Sequence, residues 1–165
     1  MEYWDLYTKD RKKLNKLHKR GEPLNIGEYH IFVFAWIINK NNEILIIQRH
    51  PDKTFPYKWD CVGGAVLAGE ESIDAILREI KEEIGIKVGK ENGKLIKSDV
   101  LDDFIGDVYI FTENINIERT KLQDMEVINI KWVSIAKLKK IEKENKLPKP
   151  MIHNIEYLEE CLNEI

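Results

Sequence analysis

The chain has 165 residues, a length that suits one domain with a single core, and its 43% hydrophobic and 33% charged residues are usual for a globular protein. A formal net charge of −3 provides no basic field, so we expect no nucleic-acid partner. Apolar runs are too short to span a bilayer, and the first residues lack a signal-peptide core. We therefore expect no membrane partner and a cytoplasmic location, in which Cys61 and Cys161 remain reduced thiols.

The first 28 residues are predicted to form an N-terminal extension. Residues 3–20 mix aromatic and basic side chains, and "TKDRKK" at 8–13 is typical of the turn of a small hairpin. Such a hairpin could be a structural extension or a flap that shapes a pocket, and we favour the structural interpretation.

Strands and helices then alternate along the chain. Aromatic and β-branched runs predict strands, of which the first two form a hairpin, and the two prolines of "HPDKTFPYKW" predict a loop over 50–59. The predicted strands are residues 29–39, 43–49, 60–67, 94–104, 107–115 and 127–133. Ser134 is expected to cap a short helix over 135–141, and the last segment places Ile152, Ile155, Leu158, Leu162 and Ile165 on one helical face. This order predicts an α+β layered domain.

One helix between these strands has clear ends and an unusual charge distribution. Ser72 is expected to be its N-cap, and Gly85 is expected to end it in a left-handed conformation. At about 100° per residue, Glu82 lies about 60° to one side of Glu79 and Glu83 about 40° to the other. The helix therefore carries three carboxylates on one ridge, directly beside its apolar face.

This acidic ridge (Glu79, Glu82 and Glu83) has two interpretations. A solvated helix face usually alternates the sign of its charges, whereas here a single Arg78 serves three acids. Hard divalent cations prefer oxygen ligands, and Mg²⁺ is commonly held by carboxylates together with substrate phosphates. Gly63 and Gly64, which precede the helix, allow the backbone to approach a ligand closely. We therefore favour a metal site over a solvated face.

The residues around this ridge match a known pattern, G-x5-E-x7-R-E-U-x-E-E-x-G-U, in which U is a bulky aliphatic residue. It is matched by Gly64, Glu70, Arg78, Glu79, Ile80, Glu82, Glu83, Gly85 and Ile86. This segment, residues 64–86, resembles the Nudix box. Flanking stretches, including "WDLY", "HKRGEPL" and "GEYH", resemble the Nudix branch related to isopentenyl diphosphate isomerase.

The resemblance implies that residues 1–165 form one Nudix hydrolase domain. It also implies a fold and an activity for this domain. The implied fold is an α/β/α sandwich with a mixed β-sheet, in which the box forms a loop–helix–loop. The implied activity is Mg²⁺-dependent hydrolysis of a nucleoside diphosphate linked to another moiety, with Mn²⁺ as the alternative ion. A small-molecule diphosphate is the implied partner.

Roles for individual residues follow from the same resemblance. Glu79, Glu82 and Glu83 would be metal ligands, with the carbonyl oxygen of Gly64 as a further ligand. Glu70 and Arg78 would brace the loop and the helix.

Two further roles concern residues outside the box. Glu126 precedes Trp132 by the family's spacing and is a candidate for an extra ligand or the general base, and Glu79 is the other candidate base. Arg49 and Lys53, which flank the proline loop, are candidates for binding phosphate oxygens.

The resemblance also raises two other functions, that of an isomerase and that of a non-catalytic nucleotide sensor. The isomerases carry a catalytic Cys immediately before the box glycine and a His immediately after it, where this chain has Gly63 and Ala65. His30 matches one metal histidine of the isomerases, but Pro23 stands roughly where the other belongs. A non-catalytic nucleotide sensor would be expected to lose box carboxylates, and this chain keeps them. We therefore expect a hydrolase, while the substrate, the number of metal ions and the oligomeric state stay open, including a homodimer through the aromatic N-terminal segment.

Overall fold

The computed structural model describes residues 1–149 and 155–164 of the chain. Their strands are β1 (Tyr3–Tyr7), β2 (Lys13–Lys19), β3 (His30–Ile38), β4 (Ile44–Arg49), β5 (Trp59–Asp60), β6 (Val62–Ala65), β7 (Gly93–Val100), β8 (Phe104–Thr112) and β9 (Val127–Val133). Their α-helices are α1 (Ser72–Ile84), α2 (Ile135–Lys143) and α3 (Ile155–Glu164), and short 3₁₀ turns cover Lys90–Asn92 and Ile117–Arg119. Each predicted strand has an observed counterpart, with ends that differ by a few residues.

A seven-stranded sheet organises the described part of the chain, and its centre is β3. The β3–β4 hairpin pairs only near its turn, at Ile37–Leu45 and Ile38–Ile44. Farther from the turn the two strands separate, and the segment containing β5 and β6 lies between them. There β5 pairs with β4, and β6 pairs with β3. This insertion places the two glycines of β6 in the middle of the sheet.

The sheet is mixed, because β3 and β8 pair in parallel from His30–Phe104 to Ile38–Thr112. Parallel neighbours need a long crossover connection, and here the connection contains α1. The predicted hairpins alone did not indicate this pairing, whereas the family resemblance implied a mixed sheet.

Helix α1 packs its apolar residues on one face of the sheet. Ala75, Ile76, Ile80 and Ile84 are all buried, against side chains that include Val33 of β3. The predicted end of the helix is confirmed, since Gly85 has a φ of 73° and its N–H donates to Lys81 O.

The predicted start of α1 is wrong by one residue. Glu71, not Ser72, occupies the N-cap position, and its side chain forms no capping bond. The hydroxyl of Ser72 instead donates to the carboxylate of Asp107 on β8. A buried carboxylate therefore takes the hydroxyl that a cap would have used.

Helices α2 and α3 cover the opposite face of the sheet. Their buried side chains include Leu138, Ile141, Leu158 and Leu162, which pack in one cluster with residues of β3, β4 and β8. Ser134 caps α2 as expected, by accepting a hydrogen bond from Lys137 N. The predictions for Ile152 and Ile165 fall outside the residues whose side chains are described. The three layers confirm the α+β, α/β/α sandwich.

The predicted N-terminal hairpin is present as antiparallel strands β1 and β2. It is fixed to the rest of the fold through the loop before α1. Ala68 N donates to Tyr3 O at 2.8 Å, and Gly69 N donates to the carboxylate of Asp5 at 2.7 Å. Leu6 is fully buried. The extension is therefore an integral part of the fold. No helix within the described ranges is long and apolar enough to cross a membrane.

The turn of the hairpin is anchored by a buried carboxylate. Arg11 donates through Nη1 and Nη2 to Asp107 at 2.8 and 2.6 Å, and Ser98 donates to the same carboxylate at 2.7 Å. Asp107 is 0% exposed. Burial alone would raise the pKa of Asp107, but the hydrogen bonds from Arg11, Ser72 and Ser98 outweigh it and hold that pKa below its ordinary value.

Replacing Arg11 with Ala should destabilise the protein at neutral pH. The free energy of unfolding should fall by about 2–3 kcal/mol, because Asp107 would stay buried without its counter-ion. Lys12→Ala in the same turn is the matched control and should have little effect. Denaturant unfolding of both variants measures the difference, and equal stabilities would contradict the anchoring role.

The same pair predicts a pH dependence. The native pKa of Asp107 lies below the unfolded value of about 3.9, so its stabilisation is fully present above that value and is lost as the pH falls through the native pKa. The stability gap between wild type and Arg11→Ala should therefore narrow in acid. Unfolding measured between about pH 7 and pH 3 tests this sign, and a gap that widens in acid would contradict it.

Candidate active site

The acidic ridge of α1 faces β6, and its three carboxylates differ in burial. Glu83 is only 9% exposed, and its carboxylate accepts a hydrogen bond from Gly63 N at 3.3 Å. The side chain of Glu82 is 46% exposed. Burial, followed by the neighbouring charge of Glu79, raises the pKa of Glu83 well above its ordinary value. Glu83 is thus a buried carboxylate whose negative charge is unfavourable in its present surroundings.

Glu79 lies directly against Gly64. A Cβ atom built on Gly64 would be 2.2 Å from the carboxyl carbon of Glu79, so only glycine leaves room for this side chain in its present position. Burial raises the pKa of Glu79, although the hydrogen bond from Arg78 opposes the rise. The glycines of β6 therefore determine how closely the ridge approaches the strand.

Arg78 connects the ridge to the loop before the helix. Its Nε and Nη2 each donate to the carboxylate of Glu70 at 2.9 Å, and Nη2 also donates to Ala65 O at 2.9 Å. Its Nη1 donates to Glu79 at 2.6 Å and to Glu82 at 3.2 Å. Glu70 also accepts a hydrogen bond from Leu67 N at 3.1 Å. These contacts are those expected of the bracing pair, while the metal-ligand and bracing roles themselves stay predictions.

The donor atoms of the ridge suit a hard cation. The carboxylates of the ridge and the carbonyl oxygen of Gly64 on β6 are the kind of oxygen ligands that Mg²⁺ and Mn²⁺ take. Within residues 1–149 and 155–164, however, no three His, Cys, Asp or Glu side chains lie close enough together, in their present positions, to hold a metal ion jointly. Arg78 bonds to both Glu79 and Glu82 in this arrangement. The residues fit an ion whose remaining ligands come from substrate and water.

A cavity of about 230 Å³ opens in front of the ridge. Its polar and charged lining residues are Glu2, Arg20, Arg49, Lys53, Thr54, Glu79, Glu82, Glu83, Gln123 and Glu126, and its other lining residues include Phe32, Leu67 and the glycines of β6. The structure therefore brings the predicted ridge, Arg49, Lys53 and Glu126 into one pocket. Glu70 and Arg78 lie behind it.

The predicted phosphate-binding residues already have partners in the pocket wall. Arg49 donates through Nε to Thr54 O at 2.6 Å and forms an ion pair with Asp60 at 3.1 Å. Lys53 forms an ion pair with Glu126. Arg49 therefore holds the loop over 50–58 in shape, whereas Lys53 must leave Glu126 to bind an anion.

Sequence reasoning missed several pocket residues. Glu2 and Arg20 belong to the N-terminal hairpin, Phe32 to β3, and Gln123 to the segment before β9. Gln123 reaches the site because its N–H donates to Glu83 O at 2.9 Å. Contacts between segments this far apart in the chain leave no local sequence signal.

Comparisons with known proteins agree with this geometry. The family model described as the NUDIX domain matches residues 28–155. An uncharacterized Nudix hydrolase of Listeria innocua is 35% identical over 140 residues, which are 84% of this chain and 83% of that protein.

Solved structures show the same fold. A Deinococcus radiodurans protein has a TM-score of 0.74 at 20% identity, with 99% of this chain and 98% of that chain covered. A bifunctional NMN adenylyltransferase/ADP ribose pyrophosphatase of Francisella tularensis, solved with AMP and a Mn ion, has a TM-score of 0.63 at 22% identity, with 87% of this chain and 43% of that chain covered. With the family match over residues 28–155, these findings establish that the chain belongs to the Nudix family and is a Nudix hydrolase.

Proposed function

We propose that this Nudix hydrolase cleaves the phosphoanhydride bond of a nucleoside diphosphate linked to another moiety, with Mg²⁺ or alternatively Mn²⁺ as cofactor. The observation that carries the proposal is that the acidic ridge, Arg49 and Lys53 line the same cavity. Carboxylates for a cation and bases for phosphate oxygens are the two requirements of diphosphate chemistry.

In this proposal the ligands of the cation are Glu79, Glu82, Glu83 and the carbonyl oxygen of Gly64. A bound divalent cation supplies neutralisation of the diphosphate charge and Lewis acidity toward its oxygens. The ridge itself contributes position, because Gly63 and Gly64 let two of its carboxylates lie against the strand. Arg78 and Glu70 keep the helix and the preceding loop in register.

The reaction is hydrolysis at phosphorus. A water oxygen forms a bond to phosphorus, the bond from phosphorus to the bridging oxygen breaks, and a carboxylate takes the proton of the water. Glu126 and Glu79 are the two candidates for this base. Lys53, once it leaves Glu126, binds a phosphate oxygen, and its departure also frees the Glu126 carboxylate to accept a proton. Arg49 holds the wall in place and faces the same phosphates.

The size of the cavity bears on the substrate. A volume of about 230 Å³ lies below the range of about 300–1,000 Å³ that is usual for pockets enclosing drug-sized ligands. The pocket therefore suits the diphosphate group, with the linked moiety extending toward solvent. The Francisella tularensis neighbour is a bifunctional NMN adenylyltransferase/ADP ribose pyrophosphatase with the same fold, which is in keeping with pyrophosphatase-type chemistry.

The isomerase alternative finds little support at the site. Cys61 is 3% exposed, and burial raises the pKa of its thiol well above the ordinary value, so it is poorly suited to proton transfer. His30 is stacked on Trp4 at 4.1 Å between ring centroids, and burial lowers its pKa to about 4. A non-catalytic sensor has no observation in its favour, since the ridge is complete.

Other parts of the proposal concern the whole chain. We propose that residues 1–165 act as one domain in the cytoplasm, with a small-molecule diphosphate as partner and without nucleic acid or membrane partners. A homodimer through the N-terminal segment stays a prediction, which sedimentation at several protein concentrations would test.

Glu82→Gln and Glu83→Gln should each lower kcat by about two to three orders of magnitude, because each removes a charged cation ligand. Glu71→Gln, an exposed acid beside the same helix, is the control and should retain activity. The assay is a panel of nucleoside di- and triphosphates, sugar nucleotides, dinucleotides and isopentenyl diphosphate with phosphate or mononucleotide readout. A double variant with the wild-type rate would disprove the metal site, and isomerised isopentenyl diphosphate without hydrolysis would disprove the reaction class.

Glu126→Gln should lower kcat by about 10²–10⁴-fold while the affinity for Mn²⁺ changes little, if Glu126 is the base. Glu79→Gln should weaken Mn²⁺ binding, because it removes a ligand. Calorimetric Mn²⁺ titration and the pH dependence of kcat separate the two roles. If Glu126→Gln retains the acidic limb of the profile and the wild-type kcat, the base is Glu79.

The two glycines of β6 should respond differently to substitution. A Cβ on Gly63 would be 2.5 Å from the backbone oxygen of Val33, so Gly63→Ala should destabilise the fold by about 1–3 kcal/mol. A Cβ on Gly64 would meet the flexible end of Glu79. Gly64→Ala should therefore change the free energy of unfolding by less than about 1 kcal/mol. It should nevertheless displace the Glu79 carboxylate and so reduce kcat. Denaturant unfolding and the hydrolysis assay test both, and a fully active Gly64→Ala would contradict the role of Glu79.

A further inference from the structure

One ion pair of the N-terminal hairpin lies in the wall of the active-site pocket. Arg20 Nη1 is 2.6 Å from Glu2 Oε2, and Arg20 N donates to Glu2 O at 3.0 Å. The side chains are 53% and 46% exposed, and both residues line the cavity in front of the acidic ridge. The pair is thus held by the hairpin backbone while its charged ends face the pocket.

This pair and the other bases of the pocket belong to different elements of the fold. The hairpin contacts the β3 side, through the pairing of Tyr7 with Tyr29 and the stacking of Trp4 on His30. Arg49 ends β4, and β6 lies between β3 and β4. Basic residues therefore line the cavity in front of the ridge both from the hairpin and from the end of β4 with the loop that follows it.

We propose that Arg20 is a substrate-binding residue that exchanges its partner Glu2 for an oxygen of the substrate's diphosphate. One phosphoryl group would lie beside Lys53 and Arg49, the other beside Arg20, and the scissile bond would lie over the ridge. This inference rests on the proposed function, because it assigns a further contact to the same substrate.

A comparison of Arg20 with Arg49 explains why Arg20 is suited to the exchange. An ion pair between half-exposed side chains contributes little to stability, so separating it is inexpensive. An arginine–phosphate contact is charge-assisted and can be bidentate, which makes it stronger than the pair it replaces. Arg49, by contrast, is only 23% exposed and holds Thr54 O and Asp60, so it is less available for exchange.

Glu2 has the opposite effect on the substrate. Its carboxylate neutralises Arg20 in the resting protein, and it adds a negative charge to the lining of the pocket. A diphosphate must displace it, so it competes with the ligand for Arg20. Removal of Arg20 should therefore weaken binding, whereas removal of the Glu2 charge should strengthen it. If the ion pair were purely structural, removal of Arg20 and removal of the Glu2 charge would change the binding affinity in the same direction.

The test measures binding of inorganic pyrophosphate by calorimetry in the presence of Mg²⁺, with Arg20→Ala, Arg20→Lys and Glu2→Gln. Arg20→Ala should raise Kd by about tenfold, the effect of losing one charge-assisted contact, Arg20→Lys should retain part of the affinity, and Glu2→Gln should lower Kd. Lys16→Ala and Glu28→Gln are matched controls, since Lys16 and Glu28 form a hairpin ion pair at 2.6 Å outside the pocket lining. They should leave Kd unchanged.

Kinetics on the best substrate of the panel separate failure of this inference from failure of the proposed function. Arg20→Ala should raise KM by about tenfold and change kcat by less than about twofold, because it removes binding rather than chemistry. If the wild type hydrolyses its substrate but Arg20→Ala has unchanged KM and pyrophosphate affinity, the assignment of Arg20 is wrong. Absence of pyrophosphate binding by the wild type would also disprove it. If no diphosphate is hydrolysed while pyrophosphate affinity depends on Arg20, the function fails and the subsite stands.

Discussion

The active site depends on how closely α1 approaches the two glycines of β6. Gly64 leaves the space that the Glu79 carboxylate occupies, and Gly63 N–H donates to Glu83. A side chain at Gly64 would displace the Glu79 carboxylate from this position. The approach also takes carboxylates out of water, which raises the pKa of Glu79 and Glu83 and makes both sites unfavourable for negative charge. Burial of the apolar face of α1 supplies the free energy that offsets this cost, and in the proposed function a bound cation would lower the cost further.

Positioning of the ridge extends beyond the box, through a chain of contacts that ends in the N-terminal hairpin. Arg78 binds the ridge on one side and Glu70 on the other. Glu70 lies in a loop that the hairpin holds at Gly69, whose N–H donates to Asp5. The hairpin turn is anchored in turn by Arg11 on Asp107. The extension therefore helps to hold the loop before α1 and also forms part of the pocket wall.

Sequence reasoning succeeded where the determining interactions are local. Helical spacing alone places Glu79, Glu82 and Glu83 on one ridge, and Gly85 ends α1 because glycine readily adopts its left-handed conformation. It failed where a distant residue decides. Ser72 resembles an N-cap in every local respect, but Asp107, which is distant in sequence, takes its hydroxyl. The hairpin residues of the pocket wall were not predicted for the same reason. The hairpin docks through long-range contacts, which the spacing of residues in the sequence does not reveal.

The balance of charge in the pocket constrains the order of binding. Arg20 is neutralised by Glu2 and Lys53 by Glu126, while Arg49 is held by Asp60. The acidic ridge is left with one guanidinium, that of Arg78, for three carboxylates. A free diphosphate would therefore meet a field of its own sign, strengthened by partial exclusion of water. In the proposed function a cation bound at the ridge would offset that repulsion, and a base that then leaves its carboxylate partner would gain a phosphate oxygen. Metal and substrate affinity should accordingly be coupled, because each removes the repulsion that opposes the other.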